Sequence, residues 1–205
     1  MDPNTFPTKG NLISAKNTLR LSRQGYELLD KKRMVLAKEV MSLTEKALEI
    51  QKNIDKIFVE AYKALTDANI QMGVSNVERF SFGVPYENSL RIKSRSVVGV
   101  EIPLVSFESG IKDNPLFGLG STSSSLDEAF YKFNEAKELI VTLSMVKNSA
   151  HRLTINIKKT QKRANALKNV TIPKYENLVK QIQDVLEERE RDEFTRLKVL
   201  KGKRG

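Results

Sequence analysis

Few residues of this chain are of the types that carry out acid–base, nucleophilic or metal chemistry. His151 is the only histidine, and there is no cysteine, which excludes thiol nucleophiles, disulfides and cysteine-bound metals. Because His151 directly follows the apolar repeat position Ala150, we expect it to flank a helix interface and not to serve as a base or metal ligand. The acidic residues are spread along predicted helix faces and form no metal-binding cluster.

Two further features are weighed as sites. Gly118 and Gly120, before Ser121, faintly resemble a phosphate-binding loop, but the lysine that this loop requires is missing. Arg33 occupies an otherwise apolar repeat position, where we expect an ion pair or an aliphatic contact that fixes helix register. The sequence therefore predicts no catalytic, cofactor-binding or metal-binding residue, and no enzyme.

Two heptad repeats, one towards each end of the chain, predict the elements that carry these residues. In each repeat, two rows of mainly apolar residues alternate at steps of three and four, as in a left-handed coiled coil. A helix of about 60 residues would be about 90 Å long. The rows of the first repeat are Tyr26, Arg33, Val40, Ala47, Ile54, Ala61, Ala68 and Leu29, Leu36, Leu43, Ile50, Ile57, Ala64; those of the second are Leu143, Ala150, Ile157, Ala164 and Val146, Leu153, Thr160, Leu167.

We predict a mainly α-helical protein, a long antiparallel two-helix coiled coil with a small β-hairpin or loop insert at one tip. Its segments are an N-terminal helix (residues 1–76), an insert (77–125), and a C-terminal helix with a basic tail (126–205). The insert holds short alternating apolar stretches that predict two strands, with a polar turn at residues 93–96. The apolar strand residues are Leu90, Ile92, Val98, Val100 and Ile102.

Local signals mark the second helix. Ser125, with Glu128 three residues later, predicts its N-cap and a capping box. Pro173 lies inside the helix, and between Leu167 and Tyr175 the apolar rows jump by four residues where the heptads would continue in sevens, which is a stutter. We expect a kink or local unwinding near this proline, because proline removes a helix hydrogen bond and clashes with the preceding turn.

The net charge of +10 favours acidic partners, such as nucleic acid, an anionic membrane surface or an acidic protein cavity. Most charges alternate in sign, which is typical of a solvated helix face. The C-terminus differs, because Lys198, Lys201, Lys203 and Arg204 form a basic tail. No apolar run approaches the roughly 20 residues that cross a bilayer, and no signal peptide is recognised. We therefore expect a cytoplasmic protein.

Several stretches resemble the D subunit of the V-type (A/V-type) ATPases. Residues 159–167 (KTQKRANAL), then Ile172-Pro173 and residues 187–190, resemble that family's C-terminal helix. Residues 7–9 and 28–33 are similar to its opening helix, and residues 99–103 to its non-helical insert. Ala164 stands where valine is expected, which puts little in doubt. The resemblance covers nearly the whole chain, and the short length suggests a prokaryotic member.

The resemblance implies a non-catalytic rotor subunit in the central stalk of a rotary ATPase. It would transmit torque between ATP synthesis or hydrolysis in a ring of A and B subunits and proton or sodium transport in a membrane ring. The implied partners are the A and B subunits, the F subunit and the C/d socket subunit. No cofactor, direct nucleotide, nucleic acid or membrane span is implied, and the expected place is the cytoplasmic face of the membrane.

The predicted partner-binding residues lie in the insert and the tail. They are Leu90, Ile92, Val98, Val100, Ile102, Lys198, Lys201, Lys203 and Arg204. Two alternatives stay open: a basic coiled-coil arm that binds nucleic acid, and a generic coiled-coil scaffold. The first is disfavoured because few aromatic residues accompany the basic ones and no groove-reading module is recognised.

Overall fold

The computed structural model describes residues 6–84, 90–106 and 122–202. Within these ranges the chain forms two long helical stretches with a two-stranded antiparallel hairpin between them in sequence, which confirms the predicted fold class. The chain divides into two compact units, Met1–Val35 with Ile157–Gly205, and Leu36–Asn156. The elements are α1 (Lys9–Met72), α2 (Val74–Ser81), β1 (Arg91–Val97), β2 (Val100–Ser106), α3 (Ser124–Ala166), a π-helical turn (Leu167–Thr171) and α4 (Ile172–Gly202).

In the unit Leu36–Asn156, α1 and α3 run antiparallel. Gln51 Oε1 accepts a hydrogen bond from Lys147 Nζ at 3.2 Å, and further along α1 Glu60 pairs with the earlier residue Lys132 at 2.8 Å. The core between the helices is rich in alanine at one end, which lets the two backbones approach closely. The buried residues are Leu36, Ile54, Ala61, Ala64 and Ala68 on α1, and Leu126, Ala129, Ala136, Leu143, Val146, Ser149 and Leu153 on α3.

In the other unit, the beginning of α1 runs antiparallel to the C-terminal helices. Lys9 Nζ lies 3.0 Å from Glu190, and Arg23 Nη2 lies 2.6 Å from Glu176. These pairs are exposed, so they contribute little free energy and mainly report the alignment of the helices. The buried residues are small except for one large side chain: Ala15, Ser22, Thr160, Ala164 and Ile182.

The two heptad repeats are confirmed as the buried rows of the helices. Every residue of the four predicted rows is buried or half-buried, including the polar Thr160. We call these rows together the apolar seam. Arg33 is half-buried, and its guanidinium contacts Asp30 at 2.8 Å, as the expected ion pair requires. His151 lies beside the seam and is exposed, in agreement with its predicted flanking position.

The hairpin is confirmed, but the predicted turn at residues 93–96 was wrong. β1 continues through those residues, and Val97 pairs with Val100 across a two-residue turn formed by Val98 and Gly99. Both turn residues have positive φ, 50° and 75°, the sign that a type I′ hairpin turn requires. A β-branched residue rarely adopts this conformation, so Val98 concealed the turn. The polar residues 94 and 96 instead reflect the solvent exposure of β1.

Two helix ends also differ from the prediction. The N-cap of α3 is Ser123 and not Ser125, because Ser123 Oγ accepts the amide of Leu126 at 3.4 Å and α3 begins at Ser124. The first helix ends at Met72, followed by Gly73 with φ of 81° and by the short helix α2. In the serine-rich sequence before α3, several residues could serve as the cap, and backbone geometry selects one.

The predicted local unwinding near Pro173 is confirmed as the π-helical turn. The amide of Ile172 donates to the carbonyl of Leu167, five residues earlier. The seam residues Leu167 and Tyr175 are eight residues apart, where a heptad repeat allows seven for two turns. The wider π turn absorbs this one extra residue, so the seam stays on the same side of the helix before and after it. The neighbouring proline, which has no amide donor, is compatible with such an interruption.

The extra residue in the π turn predicts that one residue can be removed at the turn but not beyond it. Deleting the exposed Val170 in a Pro173→Ala background should restore an uninterrupted helix with both parts of the seam in phase, and change the free energy of unfolding by about 1 kcal/mol or less. Deleting the exposed Lys180 instead rotates Ile182 away from the core, and should cost about 2–5 kcal/mol. Urea denaturation measures both; equal losses would contradict the π-turn account.

Candidate interaction surfaces

The hairpin presents some of the predicted partner-binding residues and buries others. Leu90, Ile92 and Val98 are exposed, and Ile92 most of all, at 75%. Val100 and Ile102 are buried, with 4% and 9% exposure. The first three are therefore accessible to another molecule, whereas the other two are already covered by the protein itself.

An apolar groove of about 460 Å³ lies between the hairpin and α3. Arg152 on α3 donates a 3.4 Å hydrogen bond to the carbonyl of Glu101 on β2, and the amide of Val105 lies 3.3 Å from Met145 Sδ. These two contacts hold the hairpin against α3. The groove could accept apolar side chains of a partner. It is lined by Leu90, Ile92, Pro103, Val105, Ile140, Val141, Ser144, Met145, Asn148 and Arg152.

The opposite side of β1 is basic. Arg91, Lys93 and Arg95 occupy alternate positions and therefore share one face of the strand, and all three are exposed. The cross-strand neighbours of Lys93 and Arg95 on that face are Leu104 and Ile102. The sequence did not predict this face because residues 93–96 were assigned to a turn, and alternate residues share one face only in a strand.

The end of α4 carries the described part of the predicted basic tail. Lys198 and Lys201 are exposed, whereas Lys203 and Arg204 lie outside the described residues, as do Gly118 and Gly120. Lys9, the first residue of α1, pairs with Glu190, so the remainder of α4 extends beyond the start of α1.

This end of α4 also exposes an apolar set that the sequence analysis overlooked. Phe194, Leu197 and Leu200 are 60–69% exposed and recur every three residues. Residues at such spacing lie on one broad side of a helix. The three-residue spacing of these apolar residues is visible in the sequence, but the segment was interpreted as a basic tail because of its lysines.

An aromatic cluster joins α1 and α3 in the unit Leu36–Asn156. The Tyr62 ring lies 5.9 Å from Phe58 and 5.4 Å from Phe133, between ring centroids. Beside it, Lys132 Nζ contacts Glu60 at 2.8 Å. This hydrogen bond holds the pKa of Glu60 below its ordinary value of 4.5 and that of Lys132 above 10.5. Both shifts favour the charged pair, which adds alignment to the apolar contact.

Groups suited to metal binding, with three or more His, Cys, Asp or Glu side chains, are absent from residues 6–84, 90–106 and 122–202. In the same described parts, no helix is both long and apolar enough to span a membrane. The class of protein that these features define is a two-helix coiled-coil protein with a β-hairpin insert and exposed contact surfaces.

Comparison with known proteins places the chain in a family. Residues 11–202 match the family model that describes the D subunit of ATP synthase. The chain is 42% identical over 197 residues to the V-type ATP synthase D subunit of Thermotoga neapolitana, covering 96% of this chain and 97% of the relative. It is 34% identical to the A-type ATP synthase D subunit of Pyrococcus furiosus, covering 96% and 92%. The chain belongs to the ATP synthase D-subunit family, which confirms the resemblance drawn from residues 159–167 and the neighbouring stretches.

The Lys132–Glu60 pair predicts a pH-dependent stability difference. A carboxylate with a lowered pKa stabilises the fold above its ordinary pKa, and this contribution disappears as the pH falls through the lowered value. Glu60→Gln should therefore lower the melting temperature slightly at pH 7, and less at an acidic pH below the ordinary carboxyl pKa, where the pairing of Glu60 with Lys132 is being lost. Glu45→Gln, at an exposed carboxylate of α1, is the matched control. Equal losses at both pH values in thermal melts would contradict the assignment.

Proposed function

We propose that this chain is the central-stalk rotor subunit of a rotary V/A-type ATP synthase, and that it carries no catalytic site of its own. The observation that supports this most is the match to the D-subunit family along almost the whole chain, together with paired antiparallel helices. In this role the chain transmits torque between ATP synthesis or hydrolysis in the ring of A and B subunits and proton or sodium transport in the membrane ring.

The apolar seam is suited to carrying torque. Staggered side chains from two antiparallel helices interlock, so one helix cannot slide along the other without exposing its buried rows. Burial of Leu36 and Leu153, both fully inaccessible, makes such sliding costly, because each large aliphatic side chain contributes about 1.5–3 kcal/mol when buried. A stalk that keeps its own register can pass rotation from one end to the other.

The same role requires that three similar catalytic sites be held in different states. A ligand shifts a conformational equilibrium only through different contacts with each state. A two-helix stalk is not threefold symmetric, so it presents a different surface to each A/B pair at any moment. This asymmetry lets rotation impose a sequence of states on the ring.

The exposed surfaces suggest where partners bind. In the proposal, the end of α4, with Phe194, Leu197, Lys198 and Lys201, lies inside the A/B ring. The hairpin, with its exposed Leu90, Ile92 and Val98, contacts the F subunit or the base of the catalytic ring. The C/d socket subunit then connects the stalk to the membrane ring, so that the chain works at the cytoplasmic face of the membrane.

The nucleic-acid alternative is distinguished by salt dependence. A basic arm that neutralises several phosphates would bind DNA or RNA with an affinity that falls steeply with salt. A generic scaffold would self-associate and require no partner from a larger complex. Family membership favours the rotor subunit over both.

The hairpin is predicted to be dispensable for folding and required for docking. Replacing residues 90–106 with a short Gly-Ser linker should leave helical content by circular dichroism unchanged, because the buried rows of the two long helices lie mostly outside the hairpin. Complex assembly or the rate of ATP hydrolysis should change. Ser96→Thr, at an exposed position of β1 that suits a β-branched residue and lies outside the proposed contact residues, serves as a control that keeps the hairpin. Normal binding and rate in the linker variant would make the hairpin a passive connection.

The basic tail is predicted to centre the stalk through many weak contacts. Exposed ion pairs are worth about 0–1 kcal/mol each, so none would lock the stalk against rotation. Removing the residues after Leu200 should weaken association with the A/B ring by a few-fold at low salt and less at high salt. Replacing Lys201, Lys203 and Arg204 with glutamine keeps the length and isolates the charge. Unchanged affinity at low salt would leave the tail without this role.

A further inference from the structure

The basic side of β1 is a charged surface that the fold leaves unbalanced. Arg91, Lys93 and Arg95 point to one side at intervals of two residues, which places them about 7 Å apart along the strand. The only carboxylate within residues 90–106, Glu101, pairs in register with Ser96 and therefore lies on the other side. We call the side that carries the three cations the basic hairpin face.

The cations of this face have no acidic neighbour in register. The positions directly opposite them are Ser106, Leu104 and Ile102, none of which is charged. Ser106 and Leu104 are exposed, whereas Ile102 is buried, so the chain itself covers this face beside Arg95. The ion pairs found among the described residues involve none of the three. Leu104 is 46% exposed beside Lys93, so the face combines positive charge with a modest apolar contact area.

The composition of the face favours a protein partner. Surfaces that bind anionic lipid headgroups usually gather about four to eight Lys or Arg residues, more than this face provides. Surfaces that bind single-stranded nucleic acid add aromatic side chains for base stacking, and residues 90–106 contain none. The three cations are spaced about 7 Å apart, and the aliphatic Leu104 lies opposite the middle one. Carboxylates at similar spacing on a protein surface, beside an apolar side chain, would complement them.

We propose that the basic hairpin face binds an acidic surface of another subunit of the same ATP synthase. This inference rests on the proposed function, and it specifies the chemistry of the contact: carboxylates opposite Arg91, Lys93 and Arg95, with Leu104 covered by an apolar side chain. Complementary charge across such a contact fixes orientation and accelerates association more than it adds affinity.

The test compares two full-length variants with equal loss of charge. One carries Arg91→Gln, Lys93→Gln and Arg95→Gln; the control carries Lys52→Gln, Lys56→Gln and Lys63→Gln, at exposed positions of α1. Each is titrated with the other cytoplasmic subunits of the complex, purified singly, at about 50 mM and about 300 mM salt. Vesicles with about 30% phosphatidylserine and a DNA duplex are separate probes.

The hairpin variant should bind one of these subunits about 10-fold more weakly or worse at low salt, with the difference shrinking at high salt. The control should stay within about twofold of the unaltered chain. Lys93→Glu alone should weaken binding more than Lys93→Gln, since it adds repulsion. Circular dichroism and gel filtration verify that each variant is folded.

Other outcomes overturn the inference in distinguishable ways. If the three substitutions leave binding unchanged while the Gly-Ser replacement of residues 90–106 abolishes it, the hairpin docks without these charges and the proposed function stands. If the replacement also binds and turns over normally, the docking role of the hairpin fails as well. Loss of vesicle or DNA affinity alone would assign the face to lipid or nucleic acid. Self-association of the variant, with normal binding to the other subunits, would show that the cations only protect a strand edge.

Discussion

The apolar seam is the constraint on which the rest of this structure depends. Each long helix buries only a narrow stripe, so stability comes from many modest contacts distributed along the helices and not from one deep core. The buried residues range from small ones, such as Ala61, Ala64 and Ala68, to the large and fully buried Leu36 and Leu153. An extra residue in a helix rotates the buried stripe away from the facing helix, and a nearby change in helix geometry must reverse that rotation.

The π turn is this change in helix geometry. The step from Leu167 to Tyr175 contains one residue more than two heptad turns allow, and without a wider turn the later seam residues would be rotated by about 100° around the helix. Ile182, which follows the turn, is buried, as expected if the turn keeps the seam in phase. The ion pairs Lys9–Glu190, Arg23–Glu176 and Lys132–Glu60 are exposed or half-buried, so they fix the alignment of the helices more than they add to stability.

The proposed function follows from how these helices leave some surfaces uncovered. A protein that acts by binding other subunits needs a fold that its own core stabilises. It also needs exposed side chains that can contact those subunits. The hairpin supplies such side chains because, within residues 6–84, 90–106 and 122–202, each of its strands has a hydrogen-bonded neighbour on one side only. The apolar groove beside α3 and the basic hairpin face are different chemical surfaces on the same small element. The groove would bind apolar side chains of a partner, and the basic hairpin face would bind carboxylates of the same partner.

The sequence by itself determined the helices, their seam and the interruption at Pro173, because heptad spacing and a missing amide donor are local properties that survive in almost any surroundings. It also identified the family, through residues 159–167 and the stretches around them. It did not determine the turn at Val98 and Gly99, the cap at Ser123, or which hairpin residues are buried. Those depend on strand register and on contacts between distant residues, such as Val105 with Met145. Val98 adopts positive φ against its own preference since the pairing of Val97 with Val100 requires it, and only the tertiary structure could decide that.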